Sequence, residues 1–449
     1  MFLQLPPFLI HRFAVPLPPG GRYFRTPFSL QTPICLYLFL IVMIIRRRCI
    51  VMYNETCHQL GVRRNCIREL FEFGRQRAQV VGAENVFDYS LGNPSLPAPP
   101  EVNRAIHDIL NEEDSLSIHG YTSNIGDYEA RAAVARDLNQ RFGADARPEE
   151  IFLTCGAAPA LIAALRALAV PEGEVLAIAP YFTEYKPFAE CSGLRFRLVP
   201  PDIPDFQIKL DAVEAMLSPH TQALILNSPN NPSGVVYTRK TLTELAALLE
   251  RKEREYGHPI YILSDEPYRE LAYGVEVPFI PCIYADTVVC YSYSKCLSIP
   301  GERLGYVYVP RRCADGEQLY WTVTGAARAS GHICAPSIWQ RVLVRCSKLT
   351  PDLQSYDRAR TLLYESLKDM GYRCAKPDGA FYIFVEAPGG DAAAFSERAK
   401  KKDLLVVPGG DFGCASYFRL CYCIPYEKIE RSLPLFRELM VECRAEGLV

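Results

Sequence analysis

The sequence predicts an α/β protein with a large domain built on a mostly parallel central sheet and a smaller α+β domain. Short apolar runs alternate with helical segments between residues 151 and 309, which is typical of a sheet covered by helices on both faces. The pattern changes in the last hundred or so residues, which read as a smaller α+β unit. The 449 residues, 49% of them hydrophobic and 22% charged, suffice for one large and one small domain.

Apolar periodicity gives the elements in chain order. It predicts helices at Cys57–Val81, Asp127–Phe142, Ala160–Val170, Lys240–Tyr256 and Tyr356–Met370. Strands are predicted at Phe87–Leu91, Ile151–Thr154, Val175–Ala179, Arg195–Val199, Ala223–Asn227, Ile260–Ser264, Val288–Tyr291, Gly305–Val309, Ala380–Glu386, Leu404–Val407 and Tyr417–Cys423. Functional groups are expected at the carboxyl ends of the strands in the central sheet.

Residues 1–51 form an atypical N-terminal extension, with six Arg and no Lys, Asp or Glu. Its apolar run, Ile34–Ile45, has twelve residues, whereas a transmembrane helix needs about 18 or more. The triple arginine Arg46–Arg48 follows this run, although a secretory signal carries its charge before it. Three interpretations stay open: a membrane anchor at residues 28–48, a signal peptide, or a mis-assigned start with translation from Met52. An anchor would be the only membrane contact, and the body is predicted to be cytoplasmic either way.

Charge and cysteine usage exclude some classes of function. The net charge is −2 and no basic stripe is present, so nucleic acid is not predicted as a partner. The 17 cysteines show no zinc-ligand spacing, and no metal site is predicted. Their odd number and irregular spacing indicate reduced thiols in a cytosol rather than a disulfide framework.

The segment Tyr291–Gly305 carries the strongest chemical signal. It places Lys295 just past a buried strand and Arg303 in a Pro-Gly-x-Arg-x-Gly turn. A lysine in a desolvated pocket favours its neutral amine, which suits Schiff-base formation. A lone lysine would more often be a surface residue, and the surrounding pattern argues against that here.

This segment resembles the cofactor-lysine signature of class I aminotransferases, which are fold-type I pyridoxal 5′-phosphate (PLP) enzymes. The resemblance extends over roughly residues 55–440 and is strongest to prokaryotic aspartate aminotransferases. It implies an aspartate-aminotransferase type fold, with a large PLP-binding domain at 99–330 and a small domain made of 52–98 and 331–449. It also implies amino transfer between an L-amino acid and a 2-oxo acid by a ping-pong mechanism, with Lys295 carrying PLP.

The resemblance implies that two motifs contact the cofactor ring. Asn227–Gly234 resembles the family's Asn-Pro-x-Asn-Pro-Thr/Ser-Gly loop, which makes Asn231 a donor to the ring's 3′ oxygen. Leu263–Tyr268 resembles its Asp-Glu-x-Tyr motif. Asp265 would then keep the ring nitrogen protonated and Tyr268 would bind the 3′ oxygen, although an isolated Asp is often only a helix N-cap.

The cofactor phosphate is assigned to a helix start, where free N–H groups and the helix dipole favour an anion. The amides of Gly156, Ala157 and Ala158 would bind it with Ser292, Ser294 and Arg303. The resemblance places Phe182 over the ring, with Tyr181 as the open alternative. It also makes Tyr121 a residue that reaches the partner subunit's phosphate, which implies a homodimer with shared sites.

Arg419 is the expected ligand of the substrate α-carboxylate, with Gly92 and Asn231 beside it. The planar donors of Arg suit a carboxylate, and an arginine inside an apolar strand is costly unless it is paired. Two alternatives stay open, because one fold hosts many reactions: a PLP-dependent lyase or decarboxylase, and a non-catalytic binding or regulatory protein.

Overall fold

A computed structural model describes residues 53–62 and 66–449. The chain divides into two compact units, Met1–Arg64 and Asn65–Val449, and in the first of them helix α1 spans Glu55–Val62. The interpretations of residues 1–51 (an anchor at 28–48, a signal peptide, or a start at Met52) lie outside the described residues. Within the described part of the chain, no helix has the length and apolar character needed to cross a bilayer.

The second unit contains the predicted mixture of helices and strands. Its α-helices are α2 (Cys66–Val81), α3 (Pro100–Glu112), α4 (Ser115–His119), α5 (Tyr128–Phe142), α6 (Ala157–Ala167), α7 (Tyr185–Ser192), α8 (Leu210–Met216), α9 (Arg239–Tyr256), α10 (Gly316–Ala329), α11 (Ser337–Cys346), α12 (Leu353–Met370), α13 (Ala392–Lys400) and α14 (Tyr426–Ala445). Short 3₁₀ turns occur at Ala83–Asn85, Pro148–Glu150, Ile280–Cys282 and Pro388–Gly390.

A seven-stranded sheet forms the centre of this unit. After β1 (Phe87–Asp88), its strands in chain order are β2 (Ile151–Thr154), β3 (Glu174–Ile178), β4 (Arg195–Val199), β5 (Thr221–Asn227), β6 (Tyr261–Asp265), β7 (Thr287–Ser292) and β8 (Gly305–Tyr308). The spatial order is β2-β8-β7-β6-β5-β3-β4. Only the pairs that β8 makes with β2 and β7 are antiparallel, so the predicted mostly parallel sheet is confirmed.

Both faces of this sheet are covered by apolar packing. In β3, Val175 and Ala177 belong to one buried cluster, whereas Leu176 and Ile178 belong to another on the opposite face. Successive strand residues point to opposite faces, and therefore two apolar layers require an uninterrupted apolar run. This is why the sequence shows continuous rather than alternating hydrophobicity in these strands.

The parallel strands β5, β6 and β7 end at one edge of the sheet. The last residues of β5 and β6, Asn227 and Asp265, are paired in register, and Asp265 is also opposite Cys290 of β7. Strand β7 ends at Ser292, three residues before Lys295. The polar side chains predicted for the site therefore leave the sheet at the same edge.

A smaller sheet is built from the C-terminal part of the chain. Strands β9 (Tyr382–Glu386), β11 (Val407–Pro408) and β12 (Tyr417–Cys421) form an antiparallel sheet in the order β11-β12-β9. Strand β10 (Leu404–Leu405) pairs instead with β1. This smaller sheet agrees with the predicted α+β region, while the domain bounds after residues 98 and 330 stay predictions.

Most predicted elements differ from those observed by one to three residues at an end, and at three of them the difference has a structural explanation. The predicted helix Cys57–Val81 corresponds to α1 and α2, and residues 63–65 lie outside the described residues. The predicted strand Phe87–Leu91 is wrong beyond Asp88, because its partner β10 has only two residues. The predicted strand Leu404–Val407 is two strands, since its start pairs in parallel with β1 and its end pairs antiparallel with β12.

Candidate active site

Lys295 follows the buried strand β7 in a short irregular segment. Its Nζ donates a hydrogen bond of 2.7 Å to the carbonyl oxygen of Gly92, and it lies 5.4 Å from the ring centroid of Phe381. Burial lowers the pKa of the Lys295 amine below its ordinary value. The neutral amine that a nucleophile or base requires is therefore favoured by the surroundings.

Asp265 ends strand β6 and is 5% exposed. Its Oδ2 accepts a 2.5 Å hydrogen bond from the hydroxyl of Tyr185, whereas its Oδ1 is buried and has no hydrogen-bond partner among the described residues. Burial raises the pKa of this carboxyl from 3.8 to about 7, against the hydrogen bond from Tyr185, which lowers it. No α-helix begins here, so the N-cap interpretation of Asp265 is wrong.

Arg419 lies in the middle of β12 and is 2% exposed. Its Nη1 donates to Oδ1 of Asn231 at 3.0 Å, and its Nη2 donates to the carbonyl oxygen of Ser90 at 2.5 Å. Its Nε has no hydrogen-bond partner among the described residues. The guanidinium also lies 4.7 Å from the ring centroid of Tyr382. The buried guanidinium is thus held in place through both Nη atoms while Nε is left unused.

Asn231 is oriented by the loop that follows β5. Its backbone N–H donates to Oδ1 of Asn227 at 2.7 Å, and Nδ2 of Asn227 donates to the carbonyl oxygen of Asp265 at 2.8 Å. This chain of bonds connects the ends of β5 and β6. The two motifs that the sequence singled out are therefore joined by Asn227.

Tyr268 and Tyr382 share a hydrogen bond of 3.0 Å between their hydroxyl groups. Both residues are buried, and burial raises the pKa of each phenol. Tyr382 belongs to β9 of the smaller sheet, and it meets Tyr268 just past β6 of the central one. Two neutral hydroxyls therefore face one another at the boundary between the two sheets.

The start of α6 forms a cradle with the Lys295 segment. Gly156, which precedes α6, has a φ of 98°, and an added Cβ there would lie 2.8 Å from Nη2 of Arg303. Ser294 Oγ accepts from Ser292 Oγ at 2.8 Å and from Nη1 of Arg303 at 3.3 Å. A helix N-terminus, two hydroxyls and a guanidinium thus converge, which is the donor set that an anion requires.

Phe182 and Tyr181, the two candidates for stacking on the cofactor ring, occupy different surroundings. Phe182 lines the cavity described below, and its ring makes an edge contact with Tyr185 at 5.6 Å. Tyr181 does not line it; its ring packs against Phe196 at 5.3 Å and its N–H donates to the carbonyl oxygen of Phe412. Phe182 therefore lies at the cavity and Tyr181 does not, while the stacking of either ring on a cofactor stays a prediction.

These groups surround one cavity of about 540 Å³. Its lining includes most of the predicted site residues, namely Gly92, Ala157, Ala158, Phe182, Asn231, Asp265, Tyr268, Ser292, Ser294, Lys295, Arg303 and Arg419. Gly156 is not part of the lining, but an added Cβ there would lie beside Arg303 and Ser292, which are. Tyr121 is 89% exposed and does not line the cavity of its own chain.

The family model described as "Aminotransferase class I and II" matches residues 84–433, which include every one of these groups. The chain belongs to the class I and II aminotransferases. This assignment confirms the resemblance and makes the protein a transaminase. The lyase, decarboxylase and non-catalytic alternatives are not favoured.

Solved structures and curated relatives support the same fold for this aminotransferase. It is similar to an amino transferase of Eubacterium rectale, with 48% identity, a TM-score of 0.86 and coverage of 87% of this chain and 99% of that chain. The aromatic-amino-acid aminotransferase 2 of Thermococcus litoralis is 29% identical over 84% of this chain and 95% of its own length. The aspartate aminotransferase of Thermotoga maritima is 28% identical over 82% of this chain and 94% of its own length.

Three residues of the aminotransferase site were not predicted from the sequence: Tyr185, Asn227 and Tyr382. Tyr185 and Asn227 lie within segments that the sequence had already singled out, but each looks like an ordinary core or turn residue. Ile67 and Phe71 of α2 also line the cavity. Their helical spacing indicates only an apolar face, so the sequence held no signal for their role.

Proposed function

We propose that this aminotransferase binds PLP in the 540 Å³ cavity through Lys295 and moves an amino group between an L-amino acid and a 2-oxo acid by a ping-pong mechanism. The observation that carries the proposal is the shared position of Lys295, Asp265 and the N-terminus of α6 around one cavity. The family generally uses PLP. Bound there, the cofactor ring would accept the electron pair released from the substrate Cα–H bond.

The free oxygen of Asp265 supports a cationic ring nitrogen at its position. Oδ1 is buried without a partner, and an unpaired buried carboxylate is costly. A protonated ring nitrogen would supply both the missing hydrogen bond and a positive charge, which would lower the pKa of the carboxyl. Tyr185, on the other oxygen, would hold the carboxylate in orientation.

The cradle at the start of α6 fits a phosphate. We assign its binding to the amides of Gly156, Ala157 and Ala158, with the side chains of Ser292, Ser294 and Arg303. The missing side chain at Gly156 keeps the approach to Arg303 open. Phe182 would stack on the ring face, and Asn231 and Tyr268 would bind the ring's 3′ oxygen.

Lys295 and Arg419 would act on the substrate itself. Arg419, with Gly92 and Asn231, would fix the α-carboxylate and so hold the substrate Cα in one place. The Nζ of Lys295, favoured as a neutral amine by burial, would remove the Cα proton and carry it. The lowered pKa of this amine increases the share of the neutral form that can accept a proton.

The proposal includes a cytoplasmic homodimer. Tyr121 is 89% exposed and lies outside its own chain's cavity, as expected for a residue that completes the site of the partner subunit. We place the homodimer in the cytoplasm because the odd number and irregular spacing of the 17 cysteines indicate reduced thiols.

Replacing Lys295 with Ala tests the assignment. We expect the variant to lose both the visible absorbance of bound PLP and its turnover, because no other amine lines the cavity among the described residues. Lys240→Ala, at an exposed position on α9, should retain both. Full activity of the Lys295→Ala enzyme would contradict the proposal.

A half-reaction separates transamination from the other reactions of this fold. The PLP-loaded enzyme, given an amino acid but no acceptor, should release one oxo acid per site and then stop. A lyase would continue to turn over, and a decarboxylase would release carbon dioxide. A panel of amino donors with 2-oxoglutarate as acceptor would then define the substrate.

A further inference from the structure

Two cysteines, Cys421 and Cys423, are in contact at the end of β12. Cys421 is its last residue, and Cys423 follows two positions later. Their Sγ atoms are hydrogen-bonded at 2.8 Å, and the residues are 0% and 4% exposed. In an extended segment, residues two apart point to the same side. Tyr422, between them, points elsewhere, and its hydroxyl donates to the carbonyl oxygen of Ala380 at 3.0 Å.

The two thiols differ in acidity. Burial raises the pKa of the Cys421 thiol, but the hydrogen bond with Cys423 and the positive charge of Arg419 outweigh burial, so this pKa lies below its ordinary value. Burial and the neighbouring Cys421 raise the pKa of Cys423. The pair therefore combines a more acidic thiol, whose thiolate is the reactive form, with a less acidic thiol beside it.

The pair lies behind one wall of the active-site cavity. The Sγ of Cys423 is 4.0 Å from the carbonyl oxygen of Leu91, and both Leu91 and Gly92 line the cavity. Gly92 in turn accepts the hydrogen bond from Lys295. Cys423 thus contacts a backbone segment that also lines the cavity.

We propose that Cys421 and Cys423 form a thiol-modification site, in which hydrogen peroxide closes a disulfide between them and thereby weakens binding of the substrate carboxylate at Arg419. The second half of this proposal rests on the function proposed for Arg419. The first half rests only on the positions of the two sulfur atoms.

The oxidation balances with peroxide as the sole oxidant. The Cys421 thiolate attacks one peroxide oxygen, the O–O bond breaks, and hydroxide leaves to give a sulfenic acid at Cys421. The sulfur of Cys423 then attacks the sulfur of Cys421, the S–O bond breaks, and the departing hydroxide takes the Cys423 proton. The two thiols give up two electrons and two protons, and the peroxide becomes two molecules of water.

The bridge would alter the backbone beside Arg419. Cys423 lies two residues past the last residue of β12, and two residues of strand rise span about 6.6 Å between Cα atoms, close to the upper limit of about 6.8 Å for a disulfide. Closing the bridge pulls on β12, in which Arg419 stands two residues before Cys421. Arg419 is held there by Asn231 and Ser90, so a small shift moves the carboxylate contact. Such a bridge at its geometric limit should also be easily reduced.

Mass spectrometry of the PLP-loaded enzyme tests the chemistry. After mild peroxide treatment and alkylation of free thiols, the tryptic peptide Leu420–Lys428 should be unalkylated and lighter by two hydrogen atoms. Dithiothreitol should restore both alkylation sites. Absence of this species under conditions that oxidise the exposed Cys282 would overturn the proposal.

Kinetics test the consequence, with Cys423→Ser as the unbridgeable variant and Cys282→Ser as the matched control. We expect peroxide to raise the amino-acid KM of the wild-type enzyme and of Cys282→Ser by about tenfold, as for one weakened charge-assisted hydrogen bond. Dithiothreitol should reverse this rise, and Cys423→Ser should not show it. A disulfide that forms without changing KM would overturn the link to Arg419. If instead the Lys295→Ala result removed the proposed function, the peptide mass change would still stand.

Discussion

Asp265 shows how one buried oxygen can connect stability to function. Its carboxyl is held by Tyr185 on one side and left without a partner on the other. Burial removes the water that would stabilise the charged carboxylate. A cation bound beside the free oxygen would compensate for this loss. The unpaired oxygen therefore makes the cofactor-free enzyme less stable than its packing alone would allow.

The raised pKa of Asp265 predicts how the stability of the cofactor-free enzyme depends on pH. Between 3.8 and about 7 the folded state holds a proton here that the unfolded state has lost, so the free energy of unfolding should fall as pH rises through this window. Above this pH window, the free energy of unfolding should not fall further because of Asp265. Urea unfolding at several pH values would measure the effect.

The matched variant for this pH dependence is Asp265→Asn, which cannot titrate. Its free energy of unfolding should fall less over the same window, whereas Asp205→Asn, at an exposed position, should follow the wild type. The same slope in the Asp265→Asn and wild-type proteins would contradict the assigned pKa.

We expect the Arg419→Lys substitution to weaken binding of the substrate more than it slows the reaction. Lys has no planar pair of donors, so we expect the amino-acid KM to rise roughly 10- to 100-fold with a smaller change in kcat. Steady-state kinetics would measure both. Arg373→Lys, at an ion pair on the surface with Glu386, should change neither, and a KM unaffected by Arg419→Lys would exclude this contact.

At the scale of elements, the positions of strand ends were the most predictable feature. The bounds of β2 and β4 coincide with the predicted runs, and for β2, whose residues are all buried, this follows because strands buried on both faces form continuous apolar runs. The contact of Tyr185 with Asp265 was not predictable, because it joins residues 80 apart in sequence. The split between β10 and β11 was hidden for a related reason, since it depends on which strands they pair with.

Substitution of two glycines, one at the start of α6, should have different effects on PLP binding. Gly156 and Gly257 both have positive φ, but an added Cβ meets Arg303 at Gly156 and nothing within 4 Å at Gly257. Substitution by Ala should lower the free energy of unfolding by about 1–2 kcal/mol at either position. Only Gly156→Ala should also weaken PLP binding, measured by absorbance titration, and equal PLP affinity in both variants would argue against the phosphate cradle.

At the scale of the whole molecule, the proposed homodimer makes a prediction that a monomer cannot satisfy. Tyr121→Ala and Lys295→Ala should each be defective alone. Coexpressed, they would form hybrid dimers in which one site has the Lys295 of one subunit and the Tyr121 of the other. Activity of purified hybrids should approach half that of the wild-type dimer, and hybrids no more active than Tyr121→Ala itself would count against shared sites.

Helix α2 separates two tasks that many enzymes combine in the same residues. Ile67 and Phe71 line the cavity from this helix, which contributes none of the proposed contacts to PLP. Randomising these two positions in a directed-evolution library should therefore change which amino acids are accepted while cofactor loading persists. In evolutionary terms, such a division lets relatives diverge in substrate while their chemistry stays the same.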